Sequence, residues 1–402
     1  MRTLWLADHL LVGERGHHLS YNGSIADAAR HAGLGVRILC GRDCDVEVPG
    51  GFRMHRIFRK DLRNNPPPLL SRSRLALDLL ESLAERRFES DLGHGIAAAE
   101  VERDDIFFAE MLAPRNLASW LRWLRSFPRG REPILALHLG YAAERFGAKA
   151  EIPQLLGSLK EFGKLARVRF VTDSDILKEK YQAILQQSVS LLPMVVSRRA
   201  AECYKSPGRP LHFACLGNAR QEKGFAEVLR AIDILNANDW QPAARFTLQS
   251  SDPDAASAAA LVNFRSAAAE SVSLITEPLH AESYLQLLKS VDVLLLPYHL
   301  DKYRDRTSGV FCEAMASGKP VITTEGSFCG LEALREGTGW LVRDRDPDSL
   351  AQAIRHAIGN LEPVAARCAE LMPRYQAMFH PDTFVSELLG LAACGTWNQS
   401  GI

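Results

Sequence analysis

Residues 3–40 read TLWLADHLLVGERGHHLSYNGSIADAARHAGLGVRILC, and the order of patterns within them decides the fold. An apolar stretch over 3–7 runs into a glycine-bearing loop at 13–18, after which the spacing predicts a helix over 20–32 and a second strand over 36–40. Strand, loop, helix and strand in that order begin a parallel sheet with crossover helices. The loop lacks the three spaced glycines of a dinucleotide fingerprint, so no tightly bound NAD or FAD is expected.

Working outward, further strands are expected at 105–109, 134–138, 168–172 and 191–196, with a proline loop at 64–68. The tract 197–210, which ends in Lys205-Ser206-Pro207-Gly208-Arg209-Pro210, reads as a linker. The alternation then resumes, with strands expected at 211–216, 245–249, 272–276, 291–296 and 320–323 and helices at 225–236, 281–290, 310–317 and 349–359. A chain of 402 residues exceeds what one core supports. Two domains are therefore expected, over 1–200 and 201–375, with 376–402 a C-terminal helix and tail crossing back to the first. Doubly wound sheets bind ligands outside the carboxyl ends of their strands, so two of them define one deep interdomain cleft.

Composition agrees with a globular chain, 47% apolar and 24% charged. The formal net charge is zero but unevenly split: residues 1–205 hold 31 Lys+Arg against 25 Asp+Glu, or +6, and the remainder hold 17 against 23, or −6. The basic half is a mild invitation to an anionic partner. No apolar run reaches the length of a membrane span, and the opening Met1-Arg2-Thr3-Leu4-Trp5-Leu6 soon meets Asp8 and His9, so a cytoplasmic location is expected. The eight cysteines are spread thinly and read as reduced packing residues, with Cys40 and Cys44 the close pair.

Two segments carry chemistry. In 301–322, DKYRDRTSGVFCEAMASGKPVI, Thr307-Ser308-Gly309 opens a helix whose free amides and positive dipole end suit a phosphate. Glu313 lies one turn in, where a carboxylate can accept two hydroxyl hydrogen bonds from a ribose; a bare helix cap is the alternative. In Leu216-Gly217-Asn218-Ala219-Arg220-Gln221-Glu222-Lys223-Gly224-Phe225 a tight loop joins a strand end to a helix start, and Arg220 and Lys223 either bind an anion or merely solvate the loop.

The first segment resembles the donor-binding signature of the retaining glycosyltransferases of family 4, also described as glycosyl transferases group 1. That signature has a glutamate, seven residues, a second glutamate and then Ala-Met-Ala-x-Gly-x-Pro-Val-Ile. Residues 313–322 match its second part, and Asp305 stands at the first glutamate. The second segment resembles the family's pyrophosphate loop: Lys223 matches its lysine, Asn218 stands at its arginine position, and Arg220, two residues on, is assigned the arginine's role. Fainter likenesses follow in order along the first half, at Gly16 in the first loop, His138 before Gly140, Ser174, and Pro193.

The resemblance implies an α/β protein of the GT-B fold, two Rossmann-like doubly wound parallel-sheet domains facing across a deep cleft. It implies a glycosyltransferase that moves a sugar from a nucleotide-diphosphate donor to a saccharide, lipid-linked or other acceptor with retention of configuration. Its catalytic residues would be His138, Arg220, Lys223 and Asp305, and its donor-binding residues Gly16, Ser308, Gly309, Val310 and Glu313. No cofactor is expected beyond the donor, and no metal: Asp173-Ser174-Asp175 has the spacing of a metal-binding carboxylate pair but reads as a helix cap. No nucleic acid is expected as partner. A fold-level analogy places the activity in cell-surface polysaccharide or glycolipid assembly. Peripheral contact with an anionic membrane is a further candidate, through a helix at 114–127 that puts Leu117, Trp120, Leu121, Leu124 and Phe127 on one face with arginines around it. Competing readings are a GT-B nucleotide-sugar epimerase and a non-catalytic nucleotide-sugar or protein-binding relative.

Overall fold

The computed structural model describes residues 2–13, 18–60, 74–96, 100–147, 151–202, 206–237, 244–268 and 270–393. It divides into two compact units, residues 1–193 with 382–402, and residues 194–381.

The first unit is built on a seven-stranded parallel sheet: β1 Thr3–Ala7, β2 Gly35–Gly41, β3 Arg53–Phe58, β4 Ile106–Ala109, β5 Ile134–His138, β6 Val168–Thr172 and β7 Val189–Leu191. Their order, β3-β2-β1-β4-β5-β6-β7, reverses direction between β1 and β4. The first strand is pinned on both sides, Leu4 opposite Val36 on β2 and Ile106 on β4. Its Trp5 stacks on Phe107 at 5.0 Å and donates from Nε1 to Asp105 Oδ2 at 3.0 Å. Both faces are covered, as a parallel sheet requires. One is filled by Leu117, Trp120, Leu121 and Leu124 from the helix Pro114–Ser126. On the first unit's C-terminal helix, Pro381–Ala393, Phe384 packs edge-on against Tyr21 and Phe108, and Leu391 accepts a 2.7 Å bond from Arg169 Nε.

The second unit has a six-stranded parallel sheet: β8 Leu211–Cys215, β9 Ala244–Gln249, β10 Val272–Ile275, β11 Val293–Leu296, β12 Val321–Thr324 and β13 Gly339–Val342, in the order β10-β9-β8-β11-β12-β13. Strand alternation sorts its side chains between two cores. Leu211, Phe213, Val293 and Leu295 pack with the helix Phe225–Ala237, whereas Ala214, Leu294 and Leu296 pack with the helix Gly309–Ala316.

Several elements differ from expectation. The β3 segment RMHRIF carries two arginines and a histidine and lies at the sheet edge, where exposed residues hide the apolar signal. In place of a strand over 191–196 there is the short β7, because Pro193 has no N–H for the ladder. The tract 197–210 that reads as a linker belongs to the second unit: its Ala200 is buried in that unit's core, as are Met194 and Val196 just before it, and Val196 N donates to Phe379 O at 3.0 Å. The helix Pro114–Ser126 does not offer its apolar face to a membrane, because Leu117, Trp120, Leu121 and Leu124 are at most 1% exposed. Its Arg122 is engaged by Glu85, Glu89 and Glu151. Among the described residues no helix is long and apolar enough to cross a membrane.

Candidate functional site

In the second unit the two segments meet at the carboxyl ends of β8 and β11, where an open parallel sheet takes its ligands. After β8 the chain turns at Gly217, φ +92°, whose N–H donates to Gln249 Oε1 at 2.7 Å. It then passes Asn218 and the exposed Arg220, makes one 3-10 turn at Gln221–Lys223, and enters the helix Phe225–Ala237 through Gly224 at φ +69°. A Cβ on Gly224 would fall 2.0 Å from Pro297 O, so glycine is what lets this loop close onto the end of β11. Asp254 braces the loop from outside, accepting from Gln221 N at 2.7 Å.

This geometry folds Lys223 back: a Cβ on Gly217 would lie 2.6 Å from its Nζ. Burial pushes the Lys223 ammonium down to about 8, Cys215 and Glu222 oppose the shift, and the Arg220 and Arg306 charges add to it. Three cations crowd one spot, an arrangement that an anion relieves. Arg306, stacked over Tyr303 at 4.6 Å, was not singled out from the sequence, although it lies within the quoted segment.

The helix Gly309–Ala316 starts at Ser308, whose side chain makes no capping bond and instead meets Tyr298 Oη at 3.2 Å. The first amides of the helix, at Gly309 and Val310, have no partner within it. Glu313, one turn in and half-buried, accepts from Tyr284 Oη. Burial raises its carboxyl to about 7, against the lowering effects of the Tyr284 bond and the Lys223 charge. Glu313 and Lys223 therefore share one electrostatic site. No pattern in the sequence points to Tyr284, which reaches the site from the separate helix Ala281–Ser290. Asp305, in the stretch between two short helices, is 7% exposed. The rest of the matched motif is structural: Lys319 is 2% exposed and donates to Val291 O at 2.7 Å, and Ser317 Oγ donates to Ala200 O at 2.8 Å.

In the first unit His138 ends β5 and is 3% exposed. Burial lowers its pKa against the pull of Asp173, whose carboxylate stands 3.9 Å from Nε2, and Nε2 has no hydrogen-bond partner among the described residues. Ser174 caps the helix Asp175–Leu185, accepting from Leu177 N. Asp254 and Asp346, which also lie in Asp-x-Asp spacings, likewise cap helices. Gly16 lies outside the described residues.

A cluster that sequence reasoning missed sits after β1 and β4. Asp8, His18 and Glu110 bring ligand-type atoms within 4.8 Å of one another. His18 Nδ1 pairs with Asp8 Oδ2 at 2.8 Å, and Asn22 Nδ2 donates to the same oxygen at 2.8 Å. The Asp8 charge, opposed by burial, raises His18 to about 9, while burial, with Asp8 beside it, pushes Glu110 well up. Asp8 and His18 are 10 residues apart and carry no motif, and Glu110 is brought to them only by the pairing of β1 with β4. The six described cysteines are free and buried.

Two α/β units, each on an all-parallel sheet, give the GT-B fold, and the second of them sets a cationic loop opposite a helix start bearing a carboxylate. Residues 210–360 match the family described as glycosyl transferases group 1, so the second unit carries that domain. Among solved structures, the chain is similar to a glycosyltransferase from Rickettsia africae ESF-5 (12% identity, TM-score 0.68, 97% of each chain covered). It is also similar to a sucrose-phosphate synthase from Thermosynechococcus elongatus (17%, 0.64, 97% of this chain and 98% of that one). A third similar structure is a trehalose-6-phosphate structure from E. coli bound with UDP-2-fluoro glucose (13%, 0.69, 97% and 99%). These likenesses bear on fold alone. No curated protein matches the chain.

Proposed function

We propose that this glycosyltransferase moves a sugar from a nucleotide-diphosphate donor onto an acceptor with retention of configuration and without a bound metal or cofactor. The observation that carries this reading is the meeting of Lys223, Arg220 and Arg306 with Glu313 at the carboxyl ends of β8 and β11. In this reading the pyrophosphate takes the place of the missing counter-charge, held by the cations and by the amides that open the helix Gly309–Ala316. Glu313, oriented by Tyr284, accepts the ribose hydroxyls. Leaving-group charge grows on the pyrophosphate as the glycosidic bond breaks, and Lys223 and Arg220 meet that charge without reorganising. His138 is assigned to the donor sugar's hydroxyls, a role supported by its buried Nε2, which has no hydrogen-bond partner among the described residues.

The match of 313–322 to a retaining signature supports retention. The UDP-2-fluoro glucose bound to the E. coli neighbour supports a UDP-sugar as the first donor to try. Assembly of a cell-surface polysaccharide or glycolipid is the setting in which we place the reaction, by analogy of fold.

A thermal-shift panel of nucleotide sugars tests the donor site. A donor at 100 times its dissociation constant adds about 2.7 kcal/mol of stability. Absence of any shift with every nucleoside diphosphate sugar overturns the reading. With the donor known, NMR of the product's anomeric centre decides retention, and product formation without acceptor reveals an epimerase instead.

A further inference from the structure

The first unit contains a cavity of about 370 Å³ that the donor site does not use. It opens at the carboxyl ends of β1, β2 and β3 and at the start of the helix that follows β4, against the point where the strand order reverses. That is where an open parallel sheet binds a ligand. Strand order, not sequence, assembles it: His9 follows β1, Arg42 and Asp43 follow β2, Arg59 and Lys60 follow β3, and Arg115 follows β4.

Its lining has three chemical parts. Among the described lining residues five are cations, Arg42, Arg59, Lys60, Arg87 and Arg115, and one is a carboxylate, Asp43. Two of them are held in place from behind: the buried Asp91 takes Arg59 Nε at 2.7 Å and Arg42 Nη2 at 3.7 Å, while Arg59 Nη2 also bonds Arg87 O at 3.0 Å. A guanidinium so anchored keeps further N–H donors for a ligand and loses little freedom on binding. The second part is apolar, with Phe58 and Phe88 stacked at 4.9 Å and His9 edge-on to Phe88 at 5.8 Å. The third is an acceptor: Asn116 is 2% exposed, lines the cavity, and its Oδ1 has no hydrogen-bond partner among the described residues. A buried amide oxygen left without a donor is costly, and a ligand hydroxyl removes that cost.

Fixed guanidinium forks, an aromatic wall and a waiting hydroxyl acceptor select one chemistry, a phosphate monoester carried on a polyhydroxylated ring. We infer that this cavity binds the acceptor and that the acceptor is a phosphorylated sugar or cyclic polyol. The inference rests on the glycosyltransferase reading, which supplies the need for an acceptor. The phosphate anchors in the arginines, the ring lies on Phe58 and Phe88, and a ring hydroxyl donates to Asn116 Oδ1. The same phosphate chemistry could come from a soluble sugar phosphate or from a lipid-borne one.

Calorimetry on the full chain with glucose 6-phosphate, glucose, UDP and vesicles containing phosphatidic acid tests this. Glucose 6-phosphate is expected to bind and glucose at equal concentration not to. The double substitution Lys60→Glu with Arg87→Glu, both at exposed positions, is expected to weaken sugar-phosphate binding at least tenfold and to leave UDP binding unchanged. Circular dichroism and melting temperature confirm that the variant folds. Vesicle binding displaced by glucose 6-phosphate assigns the phosphate to a lipid; sugar-phosphate binding without vesicle binding assigns it to a soluble acceptor. Equal response to glucose and glucose 6-phosphate, wild-type affinity in the charge-reversed variant, or binding of neither phosphate probe overturns the inference. UDP binding reports on the donor reading separately: UDP binding with no phosphate-probe binding removes the acceptor inference alone, whereas phosphate-probe binding with no UDP binding keeps a sugar-phosphate site and removes the donor reading together with the acceptor role that rests on it.

Discussion

Lys223 and Glu313 are each pushed away from their ordinary ionisation by burial, the first down to about 8 and the second up to about 7. Both are charged only between those values. In the proposed donor site, Lys223 would lose its proton and its hold on pyrophosphate above about 8, and Glu313 would gain a proton and lose an acceptor for ribose below about 7. Affinity for a nucleotide sugar, whose pyrophosphate diester does not itself titrate there, is therefore expected to be bell-shaped in pH. Calorimetry across that range checks it: Glu313→Gln should remove the acid limb and Lys223→Met the alkaline one, and a flat profile for the unsubstituted protein rejects the assignment. Lys223→Ala and Arg220→Ala should each cost about 2–4 kcal/mol of transition-state stabilisation, read from kcat/KM. Turnover within threefold of the unsubstituted enzyme for both would show that the loop does not touch pyrophosphate. Chelation by EDTA should leave turnover unchanged, because protein cations take the leaving charge; restoration of lost activity by Mg²⁺ would reverse that view.

At the scale of elements, the loop and helix of the proposed donor site were legible because their chemistry is local. Gly217, Arg220, Lys223 and Gly224 fall within one short loop, and Ser308, Gly309 and Glu313 at one helix start. Gly224→Ala tests how strictly the loop is built. The left-handed backbone alone costs a non-glycine residue about 1–2 kcal/mol, and the overlap with Pro297 O adds to it. Reduced stability in urea together with weakened nucleotide-sugar binding is expected, and an unchanged midpoint would show that the loop relaxes freely. The helix Pro114–Ser126 was legible as an amphipathic helix but not in its destination, since an apolar stripe looks the same whether a sheet or a lipid covers it. Trp120, 1% exposed and 5.3 Å from Trp123, belongs to the core. Trp120→Ala should cost about 3–5 kcal/mol of stability, measured by denaturant unfolding.

At the scale of the whole molecule, the chain leaves the first unit at Pro193 and returns to it at Asp382. The returning helix buries Phe384, Val385 and Leu388, each at most 2% exposed. Phe384 packs against both Tyr21 and Phe108, so Phe384→Ala opens a void beneath two elements of the first unit. A loss of about 3–5 kcal/mol is expected, with increased binding of a hydrophobic dye near the melting transition. A melting temperature equal to that of the unsubstituted protein would show that the helix does not support that unit.

The sequence by itself determined two parallel α/β sheets, the positions of most central strands, and the two segments at 216–225 and 301–322 that form the candidate site, because periodicity, turn glycines and a helix start are written in consecutive residues. It did not determine the edge strand β3, the partner Tyr284, the Asp8, His18 and Glu110 cluster, or the arginine-lined cavity. Those depend on strand order. A parallel sheet joins residues that crossovers have separated by dozens of positions, so which side chains meet at its carboxyl edge is settled only when β1 lies between β2 and β4.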